Sequence, residues 1–551
     1  MEHISNLFSF VGGLGMFLFG MNIMADGLQQ SAGGKMKQLL GYLTNNRVLG
    51  VLVGALVTAI IQSSSATTVM VVGFVNAGII NLTQAVGVIM GANIGTTITA
   101  WLVAASEWGA MLKPETFAPL LLGIGAFILL FTKDKKSTMV AHILIGFGLL
   151  FIGLAGMSDA IKVYRDSPIF AHAFSTLGSN PILGILTGAI VTAIIQSSSA
   201  SVGILQALAL NGIVSWPAAI YITLGQNIGT CVTALLSSLG ANRTAKRAAV
   251  IHLSFNLFGA VFFGVIATVG FHSFLSGMIA ATVTSTGISI FHTIFNVTNT
   301  LILFPFAGAL VQLSDKVVRG KDEILDEEDE ILHHLDERIL ETPSFAVENA
   351  VKEVVRMGKV VSENLNHAME GMLTLEPNEK AIEEIIKKEV FINKIEKRLT
   401  EYLVKISNLS LTEDQSKTVN NLFYTVSDIE RVGDHAENLA EFIQYRIDHG
   451  ITFSESAQEE FKNMCDTVIK CFDDSVTARE TEELEYIRSV IKLEDEVDTM
   501  EEELREKHIE RLMAGKCTAD VGVIFLDAIS NLERVADHAV NIAGYVKDEL
   551  K

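Results

Sequence analysis

A segment of fifteen residues occurs twice in this chain, 134 positions apart, with almost the same sequence. Positions 52–66 read LVGALVTAIIQSSSA, and positions 186–200 read LTGAIVTAIIQSSSA. The same offset superposes GANIGTT at 91–97 on GQNIGTC at 225–231 without a gap. Agreement of this length at one offset does not arise by chance. The first part of the chain is therefore an internal duplication, and both copies are expected to fold as the same unit.

The apolar residues around the duplicated segments indicate a membrane protein. Of the 551 residues 49% are hydrophobic and 19% charged, and the long apolar runs approach the roughly 20 residues that a membrane-spanning helix needs. Up to Leu310 there are 12 Lys and Arg against 7 Asp and Glu, whereas the remainder carries 29 against 55. The net charge is therefore +5 up to Leu310 and −26 in the remainder of the chain. This change predicts a membrane part and then an acidic soluble part, which argues against nucleic acid as a partner.

Positive charge predicts the topology of the membrane part, because short cytoplasmic loops are enriched in Lys and Arg. Basic residues cluster at 35–47, 133–136, 243–247 and 316–321. All four clusters fall on one side if the Gln-Ser-Ser-Ser segments are tips of re-entrant hairpins at about 48–80 and 182–213. Full spans are then expected near 6–26, 84–104, 117–132, 139–157, 217–239, 248–270 and 286–312. The hairpins enter from opposite sides. The predicted fold is an all-α membrane helix bundle of two inverted repeats, about 6–132 and 139–270, with an extra helix at 286–312.

The hairpin tips supply the polar groups of a predicted oxyanion site. In lipid, irregular backbone persists only where it lines a cavity or is buried in protein. Each tip offers serine hydroxyls and the free N–H groups of the following helix, which attract an anion without any Lys or Arg. The expected substrate ligands are Ser63, Ser64, Ser65, Ser197, Ser198 and Ser199.

The second repeated motif offers oxygen atoms for a cation beside the anion, or support for the tips. Hydroxyl and amide oxygens are ligands that hard cations prefer, and a cation offsets the cost of dehydrating an anion. The expected sodium ligands are Gln62, Gln196, Asn93, Thr96, Thr99, Asn227, Thr230 and Thr233. The alternative is that these hydroxyls only bond within their own helices and aid close packing. Recurrence of the whole set at matched positions favours a binding site.

The paired Gln-Ser-Ser-Ser segments, each followed by Gly-x-Asn-Ile-Gly-Thr, resemble the type II sodium-phosphate cotransporters over about residues 1–312. The resemblance implies sodium-driven symport of inorganic phosphate across the cytoplasmic membrane by alternating access, with both serine segments at the substrate site. The chain looks like the bacterial branch, since only 132–137 joins its two halves and no cysteine-bearing loop does. Ala92 and Gln226 stand where the family commonly has Ser.

Amphipathic helices are expected at 342–551, after an acidic linker at 313–341. Within them Glu-Arg-x-x-Asp-His-x-x-Asn occurs at 430–438 and again at 533–541, which predicts two three-helix units. The motif resembles PhoU proteins, which regulate phosphate uptake and bind metal clusters. The resemblance implies a divalent or iron-type metal near Glu430, Asp434, Glu533 and Asp537. The alternative is a solvated acidic face, although like charges four residues apart on a helix repel each other.

The expected partners are inorganic phosphate, sodium and the lipid bilayer, with an oligomer or a cytosolic regulatory partner at the PhoU-like domain. That domain is expected in the cytosol, because the four cysteines show no disulfide framework. Two other functions stay open: a membrane receptor that reports phosphate or a metal without transport, and a sodium-coupled transporter of another oxyanion. An enzyme is not expected, because the sequence has no glycine-rich phosphate loop followed by Lys and no nucleophile motif.

Overall fold

The computed structural model describes residues 2–41, 46–107, 114–132, 134–164, 167–273, 275–320, 335–374 and 379–550. Within these ranges every regular element is a helix, which confirms the predicted all-α fold. The chain divides into two compact units. The first comprises Met1–Ile324 with Asp336–Thr342, and the second comprises Leu325–Leu335 with Pro343–Lys551.

The first unit, here called the membrane unit, contains fourteen α-helices among its described residues. They are α1 (Glu2–Gly41), α2 (Arg47–Ile61), α3 (Ser64–Asn76), α4 (Leu82–Gly95), α5 (Thr97–Ala104), α6 (Pro114–Phe131), α7 (Lys135–Lys162), α8 (Pro168–Ser179), α9 (Pro181–Ile195), α10 (Ser198–Leu210), α11 (Trp216–Ser237), α12 (Arg243–Ser273), α13 (Ser285–Leu303) and α14 (Ala307–Val317).

Six helical segments of the described residues are long and apolar enough to cross a membrane. A seventh is added if the pair His172–Ser179 and Pro181–Ile195, bent by 111°, forms one span. The six are His3–Ala32, Leu82–Glu107, Lys136–Lys162, Trp216–Ser237, Arg243–Ser273 and Ser285–Val317, and each overlaps a span predicted from the sequence. The remaining predicted span, 117–132, lies in a shorter apolar helix, Thr116–Phe131.

The predicted extra helix at 286–312 differs from the observed structure in its interior and in its end. A 3-10 turn at Phe304–Phe306 separates α13 from α14, and α14 continues to Val317. Pro305 explains the break, because proline lacks an N–H group and its ring clashes with the preceding helical turn. The start of the predicted acidic linker, 313–317, is therefore helical.

The two predicted hairpins each consist of two short helices that meet at the Gln-Ser pair. Helices α2 and α3 have 15 and 13 residues, as do α9 and α10. At about 1.5 Å per residue, each is shorter than the roughly 30 Å hydrocarbon core of a bilayer. Gln62 and Gln196 end the first helices in the left-handed conformation, with φ of 58° and 56°. Both copies thus break at equivalent residues with the same backbone geometry.

Glycines let equivalent helices approach each other closely in both repeats. A Cβ atom added at Gly54 of α2 would lie 2.2 Å from the carbonyl oxygen of Val88 in α4. In the second repeat, a Cβ atom at Gly188 of α9 would lie 2.0 Å from the carbonyl oxygen of Ile222 in α11. Both distances are far below van der Waals contact, so only glycine fits. The sequence repeat is therefore also a packing repeat.

Helices α1 and α7, which open the two repeats, pack against each other reciprocally. A Cβ atom at Gly20 would lie 2.7 Å from Gly146 O, and one at Gly146 would lie 2.6 Å from Gly20 O. Gly13 and Gly153 oppose each other in the same way, so residue numbers rise along α1 as they fall along α7. Equivalent helices that cross antiparallel with exchanged contacts are related by a two-fold axis perpendicular to them. This packing supports the inverted arrangement of the repeats.

The second unit, here called the soluble unit, contains six helices: α15 (Pro343–Leu373), α16 (Glu379–Ser407), α17 (Glu413–His449), α18 (Glu455–Thr481), α19 (Leu484–Met513) and α20 (Ala519–Glu549). They follow the two predicted three-helix units. Helices α17 and α20 are joined by exchanged contacts: His435 Nδ1 lies 2.7 Å from Asn531 Oδ1, and His538 Nδ1 lies 2.7 Å from Asp428 Oδ1. The two histidines of the repeated motif therefore join helices within the bundle.

Candidate functional site

The two helix breaks meet inside the membrane unit. Ser64 begins α3, Ser198 begins α10, and their hydroxyl oxygens lie 3.4 Å apart. Both serines are buried, with 4% and 6% of their surface exposed. Ser64 and Ser198 are equivalent residues of the two repeats, so their contact lies near the pseudo-two-fold axis that relates the repeats. The N-termini of α3 and α10 thus converge, as the sequence predicts.

The neighbouring residues form a hydrogen-bonded set that joins both repeats. Thr99 Oγ1 donates to Gln62 Oε1 at 3.0 Å. Ser199 Oγ, from the other repeat, lies 3.4 Å from Thr99 Oγ1 and 3.5 Å from the backbone carbonyl of Gln62. Three predicted site residues from α5, α10 and the α2 end are therefore brought together. We call Gln62, Thr99 and Ser199 the closed triad.

The equivalent residues Gln196, Thr233 and Ser65 are not joined in this way. Gln196 is exposed, whereas Gln62 is 6% exposed. The hydroxyl of Thr233 is buried and has no hydrogen-bond partner in the structure. Two sets of identical residue types thus adopt two different arrangements. We call Gln196, Thr233 and Ser65 the open triad.

Ser63 and Ser197 have a structural task at the start of the two helices. Their hydroxyls accept hydrogen bonds from the backbone N–H groups of Ala66 and Ala200, at 3.1 and 3.2 Å. Each is therefore an N-cap, which satisfies one of the free N–H groups of the first helical turn. The backbone N–H groups of the two serines that follow each N-cap remain for a ligand.

Three other predicted sodium ligands lie in or at the end of α4 and in α11, namely Asn93, Thr96 and Thr230, and they contact different groups. Asn93 Nδ2 donates to Ile89 O, and Thr230 Oγ1 donates to Gln226 O, both within their own helices. Thr96 ends α4 and is buried. For Asn93 and Thr230 these are the bonds expected from the packing alternative, so their part in cation binding stays a prediction.

Asn227, also a predicted sodium ligand, belongs to a polar cluster whose other members were not predicted to bind a ligand. Its amide nitrogen donates to Asn296 Oδ1 at 2.7 Å and lies 3.3 Å from Asn256 Oδ1. His292 Nε2 lies 3.3 Å from Asn227 Oδ1. The cluster links α11 with α12 and α13 in the second repeat. The sequence signal was the shared spacing His-x-x-Phe-Asn at 252–256 and 292–296.

The site is electrostatically suited to an anion held by neutral groups. Neither 48–112 nor 166–242 contains a Lys or Arg, although these stretches carry both breaks. The positive ends of two helix dipoles and their free N–H groups supply the attraction. Hydroxyl and amide oxygens of the closed triad lie beside them, and these atoms suit a hard cation.

A short segment that precedes the soluble helices is fixed to the membrane unit. Asn76, the last residue of α3, donates from Nδ2 to Asp336 Oδ2 at 2.6 Å. Arg338 pairs with the same carboxylate at 2.7 Å and donates from Nε to Ser237 O, at the end of α11, at 2.6 Å. Asn242 N donates to Asn76 Oδ1 at 2.8 Å. We call residues 336–342 the docking segment; residues 321–334 of the predicted linker lie outside the described residues.

The soluble unit holds two groups of carboxylates at equivalent places. In the second three-helix unit, oxygens of Glu494, Asp498 and Asp537 lie within 4.8 Å of one another. Burial raises the pKa of Glu494, and neighbouring negative charges, among them those of Asp537 and Glu533, raise it further. Three carboxylates so close together form a donor set that fits a divalent cation.

The first three-helix unit has Glu389 in the corresponding place. Its carboxylate is 2% exposed, and neither oxygen has a hydrogen-bond partner in the structure. Burial, followed by the charges of Asp434, Glu437 and Glu430, raises its pKa to about 8. The four predicted metal-site residues thus fall into two groups, each completed by a glutamate from the preceding helix. Asn393 stands where the second unit has Asp498.

Comparison with known proteins decides the family. The sequence matches the Na+/Pi-cotransporter family over residues 16–159 and 166–282, and the PhoU domain over 354–443 and 461–546. The chain belongs to the Na+/Pi-cotransporter family. The predicted resemblance is thereby confirmed for both parts of the chain.

Three proteins are similar to parts or most of this chain. YjbB of Salmonella typhimurium, named for inorganic phosphate export, is 25% identical over 467 residues, 84% of this chain and 83% of its own. Human sodium-dependent phosphate transport protein 2B is 37% identical over 111 residues, 20% of this chain and 16% of its own. The crystal structure of PhoU from Pseudomonas aeruginosa is 20% identical, covers 37% of this chain and 97% of its own, and has a TM-score of 0.35. The family and the apolar helical segments show that the chain is a multi-pass membrane protein of phosphate transport.

Proposed function

We propose that this protein is a sodium-coupled phosphate symporter that works by alternating access across the cytoplasmic membrane. Phosphate binds between the N-termini of α3 and α10. The observation that carries the proposal is the 3.4 Å contact between the hydroxyls of Ser64 and Ser198. Two convergent helix N-termini in a region without Lys or Arg suit one tetrahedral oxyanion.

Sodium binds next to phosphate at oxygens of the repeated motifs. The closed triad supplies the amide oxygen of Gln62 and the hydroxyls of Thr99 and Ser199. Thr99 Oγ1 lies 3.0 Å from Gln62 Oε1 and 3.4 Å from Ser199 Oγ. Cation and anion then partly neutralise each other away from water, which lowers the cost of dehydrating both. This couples phosphate binding to sodium. The human relative 2B is named for sodium-dependent phosphate transport, which agrees with the coupling.

The difference between the closed and open triads supports alternating access. Because the two triads consist of the same residue types, we expect a second state, related to this one by the pseudo-two-fold axis, in which Gln196, Thr233 and Ser65 join and Gln62 becomes exposed. The two states differ by exchanged hydrogen bonds of the same kind, so neither is favoured strongly. A ligand that binds between them can therefore shift the balance.

The soluble unit acts as a cytosolic regulator of this exchange. The docking segment ties the end of α3 to the end of α11, and thus one repeat to the other, through Asp336 and Arg338. It continues directly into α15, the first helix of the soluble unit. A change in the soluble unit that pulls on this segment would alter the restraint on α3.

Reconstitution tests the proposal. Purified protein in liposomes should accumulate radiolabelled phosphate when sodium is present on the labelled side and choline on the other, and dissipation of the gradient by a sodium ionophore should abolish accumulation. Equal flux with choline on both sides would contradict the coupling. Binding of phosphate without any flux would instead identify a receptor.

A further inference from the structure

A cavity of about 430 Å³ lies at one end of the soluble unit, away from both carboxylate groups. Its walls are the loop before α18, the last turns of α19 and the turn that leads into α20. Phe453 and Phe525 form its apolar side. Its lining includes no residue of the proposed transport site and none of the two carboxylate groups.

The charge of the cavity is opposite to that of the domain around it. Lys516 and Arg511 line it, Arg511 in an ion pair with Glu460, and none of the described residues along its wall is acidic. Lys516 is exposed and forms no ion pair with the described residues. The chain beyond Leu310, by contrast, carries a net charge of −26. A basic cavity in so acidic a surrounding attracts an anion.

The helix that leaves the cavity adds uncompensated donors. Thr518 is the N-cap residue of α20, and its side chain forms no capping hydrogen bond. The N–H groups of the first turn are thus left without a side-chain acceptor. Ser454 caps the neighbouring α18 by accepting from Ala457 N. The first turn of α20 therefore presents N–H groups at this cavity, and the exposed carboxylate in the same turn, Asp520, lies outside the cavity lining.

A buried imidazole and a guanidinium at the wall have hydrogen-bonding atoms without partners. His508 is 2% exposed, stacks on Phe525 and lies with Nε2 3.7 Å from Cys517 Sγ, while its Nδ1 has no partner in the structure. Arg511 is held by Glu460 through Nη1 at 2.7 Å, but its Nη2 has no partner. Buried polar atoms of this kind are normally hydrogen-bonded. The wall behind Lys516 therefore holds two buried polar atoms whose hydrogen bonds are not satisfied.

We propose that this cavity binds a phosphate-bearing anion, either inorganic phosphate or the phosphate group of a nucleotide. Lys516 and the first turn of α20 contact the phosphate oxygens, and Arg511 and His508 form the wall behind them. The existence of the site does not depend on the transport proposal, and only the choice of phosphate rests on it. The site would let the soluble unit respond to the concentration of the transported ion.

Hydrogen exchange of the full-length protein in detergent, read by mass spectrometry, tests the proposal. Addition of either inorganic phosphate or ADP, at constant ionic strength, should slow exchange at least twofold in 452–457 and 516–525. Lys516→Glu should weaken the apparent affinity about tenfold or more, as expected for loss of a charged hydrogen bond. Lys547→Glu, the same charge change in the last turn of α20, should leave it unaltered.

Two further outcomes separate this site from the membrane site. The Ser64→Ala/Ser198→Ala variant should retain the protection in the soluble unit, even though its phosphate transport is impaired. Protection by only one of the two probes identifies the source of the phosphate group. Absence of protection by both probes, or equal protection in Lys516→Glu, would overturn the proposal.

Discussion

The hydroxyl oxygens of Ser64 and Ser198, residues 134 positions apart, lie 3.4 Å from each other where two helices begin. The contact joins equivalent residues of a duplicated sequence, and such residues can touch only near the axis that relates the repeats. Each serine begins a helix whose first N–H groups face the same place. The proposed anion site therefore has the symmetry that duplication of one helix break produces.

Cysteines at these two positions should cross-link. In Ser64→Cys/Ser198→Cys, mild oxidation should form a disulfide, because the Oγ–Oγ distance of 3.4 Å needs only a small approach to reach the roughly 2 Å of an S–S bond. Saturating phosphate with sodium should slow this reaction severalfold by separating the thiols. Gel mobility before and after reduction measures it. No cross-link, or a rate insensitive to phosphate, would contradict the geometry.

Removal of a hydroxyl from either triad should shift the balance between the two transport states in opposite directions. Thr99→Val weakens the closed triad of the observed state, and Thr233→Val weakens its counterpart. With one neutral hydrogen bond contributing about 1 kcal/mol, each shift should be about fivefold. Labelling of Gln196→Cys by a membrane-impermeant maleimide should fall with Thr99→Val and rise with Thr233→Val. Changes in the same direction would refute exchange between the triads.

Release of the docking segment should speed transport. Asp336→Ala removes the acceptor shared by Asn76 and Arg338, so α3 loses its tie to α11. We expect the maximum phosphate flux to rise severalfold with little change in apparent phosphate affinity. Asp315→Ala, which removes an ion pair of 3.1 Å with Arg247 elsewhere in the membrane unit, is the matched control. A lower or unchanged flux in Asp336→Ala would exclude a restraining role.

Divalent cations should stabilise the soluble unit. The carboxylates of Glu494, Asp498 and Asp537 repel one another when no cation lies between them. Addition of Mn²⁺ at a hundred times its dissociation constant should add about 2.7 kcal/mol to the free energy of unfolding. Asp537→Asn should reduce the rise in melting temperature, whereas Asp527→Asn, an exposed change on the same helix, should not. Equal rises in the two variants would place the metal elsewhere.

The soluble unit without metal should lose stability as pH rises. Glu389 has a folded-state pKa raised from 4.5 to about 8, so between these values the folded state keeps a proton that the unfolded state has released. The contribution of Glu389 to the free energy of unfolding is therefore largest below pH 4.5 and decreases as the pH rises to about 8. In the presence of a chelator, Glu389→Gln should flatten the dependence of melting temperature on pH over this range. An unchanged slope would show that Glu389 is not the group responsible.

The helix breaks could be predicted from the sequence because the internal duplication gives two copies of the same segment to compare. Gln62 and Gln196 interrupt apolar runs at the same place in both copies, and only a shared local structure explains the recurrence. The antiparallel packing at Gly20 and Gly146 agrees with the orientation predicted from basic clusters. Helix boundaries were less predictable where one residue decides them, as Pro305 shows.

Sequence reasoning could not predict how the two copies differ. The closed and open triads contain identical residue types, so their arrangement depends on the state of the whole bundle. The contacts of the docking segment could not be predicted either, because Asp336 and Arg338 lie in a strongly charged stretch of the kind that is usually exposed to solvent. Glu389 recurs in sequence with Glu494, but only packing shows that it is buried against Gly433, where a Cβ atom would lie 2.7 Å from its carboxylate.

Equilibrium binding of radiolabelled phosphate to the purified protein tests the central claim most directly. In sodium, Ser64→Ala/Ser198→Ala should lower the affinity of the sodium-dependent site at least a hundredfold, because two hydrogen bonds to a charged ligand contribute about 3 kcal/mol or more together. Replacement of sodium by choline should abolish that site in the wild-type protein. An unaltered affinity in the double variant would contradict a phosphate site between the two helix breaks.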